Sequence, residues 1–448
     1  MNTMKNNLKE FKIIGLFGSR DVLIPFDSPV KILIGENGLG KTTILNALYY
    51  TLTSQFYKLN SLNFEKIIIS LVSGDVFELS KNELGYFNDD EYHDPKIYRL
   101  TQILHEILSE EDKLALAKAS QATDRKEIRS VFEEYVTKVS RMYPAPSMTI
   151  RRALSMMFDG SLAKFQELSV TLRKSLGHEI IYFPTYRRIE EDLKNLGFDS
   201  EFKNKTDNNL IQFGMDDVEK TINRKLSEIK NATIEGFSSL TGELLNQYVS
   251  GKLTLKNESL IRTEILQIIL ERVGENIKPA TKNEILQLVQ SNDIFTNSEK
   301  YKYLLNFISE LIRIYEEQKE LDNTIKEFSE VCSKYLRAKK INYNESKLTL
   351  DIVDYKDNKI NLRDLSSGEK QIVSIFSRIY LETSNKVIVL FDEPELSLSM
   401  EWQKDLLPDI INSKKCELLV AVTHSPFIFD NELDYLAEDM NKYVTFYE

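Results

Sequence analysis

Short apolar runs near the start of the chain predict β-strands separated by turns, and one of them is followed directly by a helix. Thr42–Tyr50 repeats apolar positions at helical spacing, and the segment between the third strand and this helix is rich in glycine. The predicted strands are Lys12–Phe17, Val22–Phe26, Lys31–Ile34, Lys66–Val72 and Val76–Leu79.

Two long stretches have apolar residues three and four positions apart, which predicts helices. The first runs from about residue 80 to 178 and is broken by Pro144 and Pro146, and the second runs from Asp216 to about Asn342. Within the second, heptad-like apolar spacing flanks the polar stretch Glu316–Glu320. Two interpretations stay open: a helix pair or short coiled coil, or one long helix packed on its neighbours.

Strand patterns return between and after the helical stretches. Ile180–Phe183 is a short strand, and Leu348–Val353 with Lys359–Leu362 forms a hairpin candidate. Val387–Phe391 is uninterruptedly apolar, as expected for a strand buried on both faces of a mostly parallel sheet. These patterns predict an α/β fold in which helical insertions interrupt a head domain. The predicted domains are residues 1–80, 81–178 (helical), 179–215, 216–345 (helical or coiled coil) and 346–448.

Composition and charge exclude several classes of protein. Apolar residues make up 42% and charged residues 28% of the 448 residues, which is typical of globular proteins. The net charge of −11 disfavours a non-specific nucleic-acid coat. The two cysteines exclude a disulfide framework, and no apolar run reaches the roughly 18 residues of a membrane-spanning helix. We therefore expect a cytoplasmic protein without a membrane segment.

One glycine-rich segment, GENGLGKT, matches the phosphate-binding P-loop pattern between a strand and a helix. Its glycines let backbone N–H groups surround phosphates, and the helix N-terminus adds partial positive charge. Lys41 can reach the β- and γ-phosphates, and the Thr42 hydroxyl can bind Mg²⁺. The segment predicts a site for ATP and Mg²⁺. Its candidate binding residues are Gly35, Asn37, Gly38, Gly40, Lys41, Thr42 and Thr43.

Two adjacent carboxylates, Asp392 and Glu393, end the apolar run Val387–Phe391. Carboxylates at the end of a buried strand are costly unless they have a task. Asp392 suits a metal site with Thr42, and Glu393 suits a base or a group that orients water. Upstream, Ser367 and Gly368 open a predicted helix and offer backbone donors and a hydroxyl to a phosphate.

The order of GENGLGKT, LSSGEKQ, VIVLFDEPELSL and AVTHSPFIF resembles the head of ABC-type ATPases, in particular the soluble SMC-like, OLD-like and AAA15-type branch. The resemblance covers residues 1–80, 180–190 and 346–448. The phrases YFPTYRRIEEDL and THSPFIF are similar to ATPase subunits of bacterial anti-phage defence systems. The AriA-like ATPase of PARIS systems is the closest family, followed by the PtuA-like ATPases. The implied fold is an ABC-type P-loop ATPase head with two large helical insertions.

The resemblance also implies roles for individual residues. Lys41, Glu393 and His424 would be catalytic, with His424 sensing the γ-phosphate. Ser367 and Gly368 would complete the nucleotide site of the opposite protomer, so the heads would form a homodimer or higher oligomer. Leu396-Ser397-Leu398 falls at the D-loop, which crosses that dimer interface.

Four further residues are candidates without an assigned role. Gln212 is a weak candidate for the Q-loop glutamine. Arg20 lies in the first predicted turn, near the position at which related heads contact the nucleotide. Arg187 and Arg188 follow a strand and could contact phosphate or a second subunit, although surface salt bridges explain them nearly as well.

The leading functional interpretation is an ATP-binding and ATP-hydrolysing sensor subunit that holds and controls a separate effector nuclease, with a phage-derived protein as a candidate trigger. The 24 residues after His424 are expected to be too few for a nuclease domain. The alternative is an SMC- or RecF-like DNA-repair ATPase that binds DNA across dimerised heads, which the acidic charge disfavours. A transporter ATPase is disfavoured by the large insertions.

Overall fold

Strands from both ends of the chain and helices between them form an α/β structure. Asn37, Arg187, Arg188 and Gln212 lie outside the described residues, so their predicted roles stay predictions. The computed structural model describes residues 7–36, 38–84, 97, 100–101, 103–104, 107–109, 111–113, 115–116, 125–157, 163–184, 215–250, 261–274, 277–383 and 386–447.

The described strands are short, and most have between three and six residues. In chain order they are β1 (Leu8–Leu16), β2 (Arg20–Pro25), β3 (Val30–Ile34), β4 (Lys66–Leu71), β5 (Val76–Ser80), β6 (Glu179–Phe183), β7 (Lys339–Asn344), β8 (Thr349–Asp354), β9 (Lys359–Ile360), β10 (Val387–Asp392), β11 (Cys416–Thr423), β12 (Ala437–Asp439) and β13 (Val444–Phe446).

The described helices vary from single turns to nearly forty residues. They are α1 (Lys41–Leu52), α2 (Phe56–Leu59), α3 (Arg125–Met142), α4 (Ser147–Met157), α5 (Ala163–Leu176), α6 (Met215–Ser250), α7 (Thr263–Arg272), α8 (Pro279–Gln290), α9 (Asp293–Thr296), α10 (Ser298–Tyr335), α11 (Ser367–Phe376) and α12 (Met400–Asn412). A π-helical segment, Ser377–Glu382, follows α11. No helix of these described ranges is long and apolar enough to cross a membrane.

The chain divides into two units, which are described separately. Unit 1 contains Met1–Arg187, Asn385–Leu396 and Cys416–Glu448. Unit 2 contains Arg188–Ser384 and Ser397–Lys415.

Unit 1 has two five-stranded sheets. In the first, the order is β13-β2-β1-β4-β5, and all neighbouring strands are antiparallel. In the second, the order is β12-β3-β11-β10-β6, and all neighbours are parallel. Every residue of β10 is buried, so the predicted strand with two buried faces is confirmed. The C-terminal β12 and β13 were not predicted because three residues are too few to show a periodicity.

The apolar core of unit 1 joins the antiparallel sheet, α1 and the helices α3 to α5. Phe11 and Ile13 of β1 and Ile44 and Leu48 of α1 are at most 1% exposed. The apolar side chains that the 3.6-residue period placed on one face of α1 are therefore those that pack inward. This packing holds the start of α1 against the sheet.

Unit 2 is built on the helices α6 and α10. Helix α10 packs against α6, which fits both a helix pair and a long helix packed on its neighbours, so the two interpretations stay open. Helix α10 runs without a break from Ser298 to Tyr335. The polar stretch Glu316–Glu320 lies within it. Gln318 is the buried member, and it is partnered because Thr233 Oγ1 of α6 donates a 2.7 Å hydrogen bond to its side-chain oxygen.

The prediction that helix continues to about Asn342 is wrong. Helix α10 ends at Tyr335, and Ala338 adopts a left-handed conformation with φ 58°. The following residues form β7, which pairs with β8 in the three-stranded sheet β7-β8-β9. The hairpin predicted after it is confirmed as β8 and β9. Pairing with β8, the strand that directly follows, overrides the local helical spacing.

A buried ionic network fixes one end of unit 2. Arg272 of α7 donates a 2.7 Å hydrogen bond to Asp322 of α10 and another, of 2.9 Å, to the carbonyl of Glu345. The side chains of Arg272 and Asp322 are only 3% and 2% exposed, so neither charge has water as an alternative partner. The network therefore specifies how α7 and the turn after β7 sit on α10.

Candidate functional site

The carboxyl ends of three adjacent parallel strands of unit 1 carry the predicted site residues. Strand β3 leads into the P-loop, β10 ends at Asp392, and β11 ends at Thr423, next to His424. Strand β11 lies between the other two, with Thr423 paired to Ile34 and Asp392 paired to Val422. Parallel sheets bind ligands at this edge because all their strands end there.

The P-loop turns sharply before α1. Gly40 is the N-cap residue and has φ 88°, a conformation that costs other residues about 1–2 kcal/mol. A Cβ at this position would also lie 2.8 Å from Cε2 of Phe17, so both backbone and space require glycine. Gly35 and Gly38 lie in the loop, and Thr42 and Thr43 lie in the first turn of α1. The backbone N–H groups of that turn have no partner within the helix.

Lys41 is the first residue of α1, and it is only 6% exposed. Its ammonium group donates hydrogen bonds to the carbonyls of Gly35 (2.8 Å) and Glu36 (3.2 Å). The Lys41 ammonium also contacts the ring of His424, with 3.3 Å to Nδ1 and a closer approach to Nε2. The structure thus brings together two of the three predicted catalytic residues.

The charge of Lys41 is set by two opposing effects. Burial lowers the pKa of the Lys41 ammonium below its usual value. The carboxylates of Glu393, Asp392 and Glu395 act in the other direction, in that order of size. A partly desolvated ammonium beside carboxylates, at the mouth of a P-loop, suits an anionic ligand that brings its own metal ion.

Thr42 and Asp392 form the candidate metal site. The Thr42 hydroxyl donates a 2.7 Å hydrogen bond to Oδ2 of Asp392, which is 1% exposed. A hydroxyl and a carboxylate are hard oxygen ligands, and they fit Mg²⁺. Among the residues that the structure describes, no group of three or more His, Cys, Asp or Glu side chains could hold a metal ion alone. An ion at Thr42 and Asp392 would need further oxygens from phosphates or water.

Glu393 leaves the strand conformation. It has φ 50°, although its N–H still donates a 2.9 Å hydrogen bond to the carbonyl of Val422. A left-handed glutamate is uncommon and strained, and such residues cluster at functional sites. Its Oε1 lies 3.8 Å from Nε2 of His424, and its side chain is 25% exposed. The backbone turn therefore places the second predicted carboxylate beside the histidine, with access to water.

Arg20 was predicted as a nucleotide-contact candidate, and the structure places it against the P-loop. Its Nη1 donates a 3.3 Å hydrogen bond to the carbonyl of Gly38. The guanidinium lies over the rings of Phe446 (4.7 Å) and Phe17 (5.6 Å). Neither aromatic residue was predicted: Phe446 is distant from Arg20 along the chain, and Phe17 ends a predicted strand with no mark of a site. The three side chains form a cationic and aromatic surface beside the loop.

Glu395 is a third residue of the site that was not predicted from the sequence. Its carboxylate accepts hydrogen bonds from the Thr423 hydroxyl (2.7 Å) and from the backbone N–H of His424 (2.8 Å). The available signal was a third acidic residue after the apolar run that ends at Asp392. Only the pairing of β10 with β11 shows what it binds.

Ser367 and Gly368 lie in unit 2, at the start of α11. Ser366 is the N-cap residue and forms a capping box with Glu369. Gly368 packs against Ser397 and Trp402: a Cβ at Gly368 would lie 2.5 Å from the carbonyl oxygen of Ser397 and 3.1 Å from the Trp402 ring. The glycine is therefore required by the close approach of a backbone carbonyl.

Lys339 of β7 fixes the same turn. Its ammonium donates hydrogen bonds of 2.7 and 2.9 Å to the two carboxylate oxygens of Glu369. Burial would raise the pKa of the Glu369 carboxyl, but hydrogen bonds from Lys339 and Ser366 outweigh it, and the pKa lies below its usual value. Glu369 is thus charged, and its role is structural: it orients the first turn of α11.

A family model described as "AAA ATPase domain" matches residues 7–429. No match was found among curated proteins. The predicted α/β fold class, an ABC-type P-loop ATPase head, is confirmed by the family match together with the mixed sheets and helices.

Two solved structures are similar to this chain at low identity. One is the Smc head domain with an extended coiled coil bound to the C-terminal domain of ScpA, from Pyrococcus furiosus, with a TM-score of 0.33, 13% identity, and 94% of this chain and 91% of that chain covered. The other is an SmcHead bound to the C-winged helix domain of ScpA, with a TM-score of 0.34, 12% identity and the same coverage of 94% and 91%.

Substitution of two helical glycines of unit 2 by alanine is expected to change stability in opposite directions. Gly368→Ala pushes a Cβ into the Ser397 carbonyl and should destabilise the protein by about 1–3 kcal/mol. Gly242 of α6 is exposed and has no atom within 4 Å of its Cβ position, so Gly242→Ala should stabilise by up to about 1 kcal/mol. Thermal and denaturant unfolding of both variants measure this. Equal effects of the two changes would contradict the close packing at Gly368.

Proposed function

This chain belongs to the AAA ATPase domain family, and from that premise we propose that it hydrolyses ATP to ADP and phosphate at the Lys41 site. The observation that carries the proposal is the convergence of Lys41, Asp392, Glu393 and His424 at one edge of the parallel sheet. Lys41 follows the loop after β3, Asp392 ends β10 and is followed by Glu393, and His424 follows β11. Lys41 contacts His424, and His424 lies 3.8 Å from Glu393. Asp392 accepts from Thr42, the neighbour of Lys41.

The P-loop residues bind and orient the triphosphate. The backbone N–H groups of the first turn of α1 and the Lys41 ammonium donate to phosphate oxygens. To do so, Lys41 exchanges its carbonyl partners Gly35 and Glu36 for the ligand. Thr42 and Asp392 would hold Mg²⁺, which would neutralise phosphate charge.

Glu393 and His424 act on the far end of the triphosphate. Glu393 orients the attacking water and accepts its proton, because its carboxylate is partly exposed and lies beside the phosphate-facing residues. His424 contacts Lys41 and borders Glu393, a position that suits contact with the γ-phosphate. The Arg20 surface next to Gly38 is a candidate contact for the remainder of the nucleotide.

Removal of the two charged groups is expected to separate binding from turnover. Lys41→Ala should abolish nucleotide binding in the titration, because it removes charged hydrogen bonds to phosphate. Glu393→Gln should retain binding and lower turnover by about 100-fold or more. Titration with a fluorescent ATP analogue and a phosphate-release assay measure the two effects. Lys66→Ala, at a partly exposed lysine of β4, is the control; normal hydrolysis by Glu393→Gln would refute the assignment.

We further propose that ATP lies between two heads, with Ser367 and Gly368 of one chain completing the Lys41 site of the other. The resemblance to ABC-type heads supports this arrangement. The first turn of α11 also supports it, since its backbone N–H groups are the donors that a phosphate needs.

Mixed mutant chains test the shared site. A Lys41→Ala chain mixed with a Ser367→Arg chain forms hybrid dimers that each contain one intact site, so about a quarter of the wild-type sites are expected to return. Phosphate release by the mixture is compared with that of each mutant alone, after subunit exchange has been verified with two affinity tags. A mixture as inactive as its components would exclude the shared geometry.

At the level of biology, we propose a subunit of an anti-phage defence complex that holds a separate effector nuclease and releases or activates it when a trigger binds. The support is the resemblance of the quoted motifs to the AriA-like and PtuA-like ATPases. The long helices α6 and α10 offer extended charged surfaces, as protein docking requires.

Co-purification with the product of the neighbouring gene tests this proposal. Glu316 and Glu320 are exposed on α10, and their double change to lysine should weaken partner binding while ATP hydrolysis stays within about twofold of wild type. Glu432→Lys, at an exposed position of unit 1, is the control for net charge. Loss of hydrolysis with intact partner binding would contradict docking through α10. Tight, strongly salt-dependent binding to plain duplex DNA would favour the DNA-repair alternative.

A further inference from the structure

Glu395 connects the ends of two strands that carry the catalytic residues. It lies three residues beyond Asp392, and its two carboxylate oxygens accept from consecutive residues at the end of β11. Oε2 accepts from the Thr423 hydroxyl at 2.7 Å, and Oε1 accepts from the backbone N–H of His424 at 2.8 Å. Two short hydrogen bonds to a charged acceptor fix both the position and the rotation of the peptide between Thr423 and His424.

The turn that carries His424 continues this network. Thr423 is fully buried, and its oxygen also accepts a 3.0 Å hydrogen bond from the N–H of Ser425. The Ser425 hydroxyl accepts in turn from the N–H of Phe427 at 3.3 Å. A series of hydrogen bonds therefore runs from Glu395 through Thr423 to the residues that follow His424. The imidazole itself is about one-third exposed, and its neighbours include Lys41 and Glu393.

We infer that Glu395 is the positioning residue for His424. It sets the backbone at residue 424, and through it the direction in which the imidazole reaches Lys41 and Glu393. The inference rests on the proposed function, in which His424 contacts the γ-phosphate. In this role, Glu395 does not contact the nucleotide.

The geometry also separates Glu395 from the other two acidic residues. Asp392 accepts from Thr42, and Glu393 borders His424 with a partly exposed carboxylate. Each oxygen of Glu395 accepts a hydrogen bond, one from the Thr423 hydroxyl and the other from the His424 N–H, so its carboxylate is directed at the end of β11. Three carboxylates within four residues thus have three different tasks.

The test compares the effects of Glu395 variants on turnover and on binding. Glu395→Ala is expected to lower the rate of ATP hydrolysis by about 10- to 100-fold, since it removes two hydrogen bonds to a charged acceptor. The affinity for ADP should stay within about twofold. Glu395→Gln keeps an acceptor for the His424 N–H and should lose markedly less activity. Glu432→Ala, at an exposed glutamate of the same unit, is the control, and thermal unfolding verifies that each variant is folded.

A double-mutant cycle with His424→Ala decides whether Glu395 acts through the imidazole. In that background, Glu395→Ala should lower turnover by less than about twofold further. An equal loss in both backgrounds would overturn the inference, as would wild-type turnover by Glu395→Ala.

A second measurement does not depend on hydrolysis. This measurement is the affinity for a non-hydrolysable ATP analogue divided by the affinity for ADP. In Glu395→Ala, this ratio should fall by about fivefold or more. In the His424→Ala protein, the additional change Glu395→Ala should not lower the ratio further. If the wild-type protein binds the analogue but never hydrolyses ATP, the proposed hydrolytic function fails, and this ratio still tests Glu395. An unchanged ratio with normal wild-type hydrolysis would overturn the inference about Glu395 alone.

Discussion

The burial of Lys41 next to carboxylates at the end of a parallel sheet is the constraint on which the candidate site depends. A nearly buried ammonium is costly unless it has partners, and here the carbonyls of Gly35 and Glu36 supply them. The carboxylates of Asp392 and Glu393, at the end of β10, attract the Lys41 ammonium. Because β11 lies between β3 and β10, these groups meet only when all three strands are in register.

Left-handed conformations occur near the points where the chain leaves the sheet, and the one at Glu393 costs energy. Gly40 is left-handed before α1, and Glu393 is left-handed after β10. In each case, the backbone turns away from the direction of the strand and presents its donor or carboxylate at the same edge. Strain of this kind persists because the buried sheet on one side over-determines the loop. The network from Glu395 to Thr423 gives the third strand end an equally defined turn without a strained residue at His424 itself.

Unit 2 shows the same dependence of a glycine-containing turn on its surroundings. Gly368 lies where a Cβ would meet the Ser397 carbonyl, and the adjacent Glu369 is held by Lys339 of β7. Strand β7 begins four residues after the end of α10, a helix of 38 residues. A movement of α10 would therefore be transmitted through β7 and Lys339 to Glu369, in the first turn of α11. This contact connects the long helices of unit 2 with Ser367.

The sequence alone determined the local elements of the site and their order. The strand–glycine loop–helix pattern at Lys41, the fully apolar β10 before Asp392 and the capped helix at Ser367 are set by short-range periodicity and residue type, and each is present in the structure. Only the tertiary structure decided what lies against them. Phe17 against Gly40, Ser397 against Gly368, and Glu395 bonded to the N–H of His424 are contacts between segments separated along the chain. Strand β7 was likewise not predicted, because the local spacing of its apolar residues is helical. Such contacts depend on strand order, register and left-handed turns, and no local pattern of apolar and polar residues encodes these.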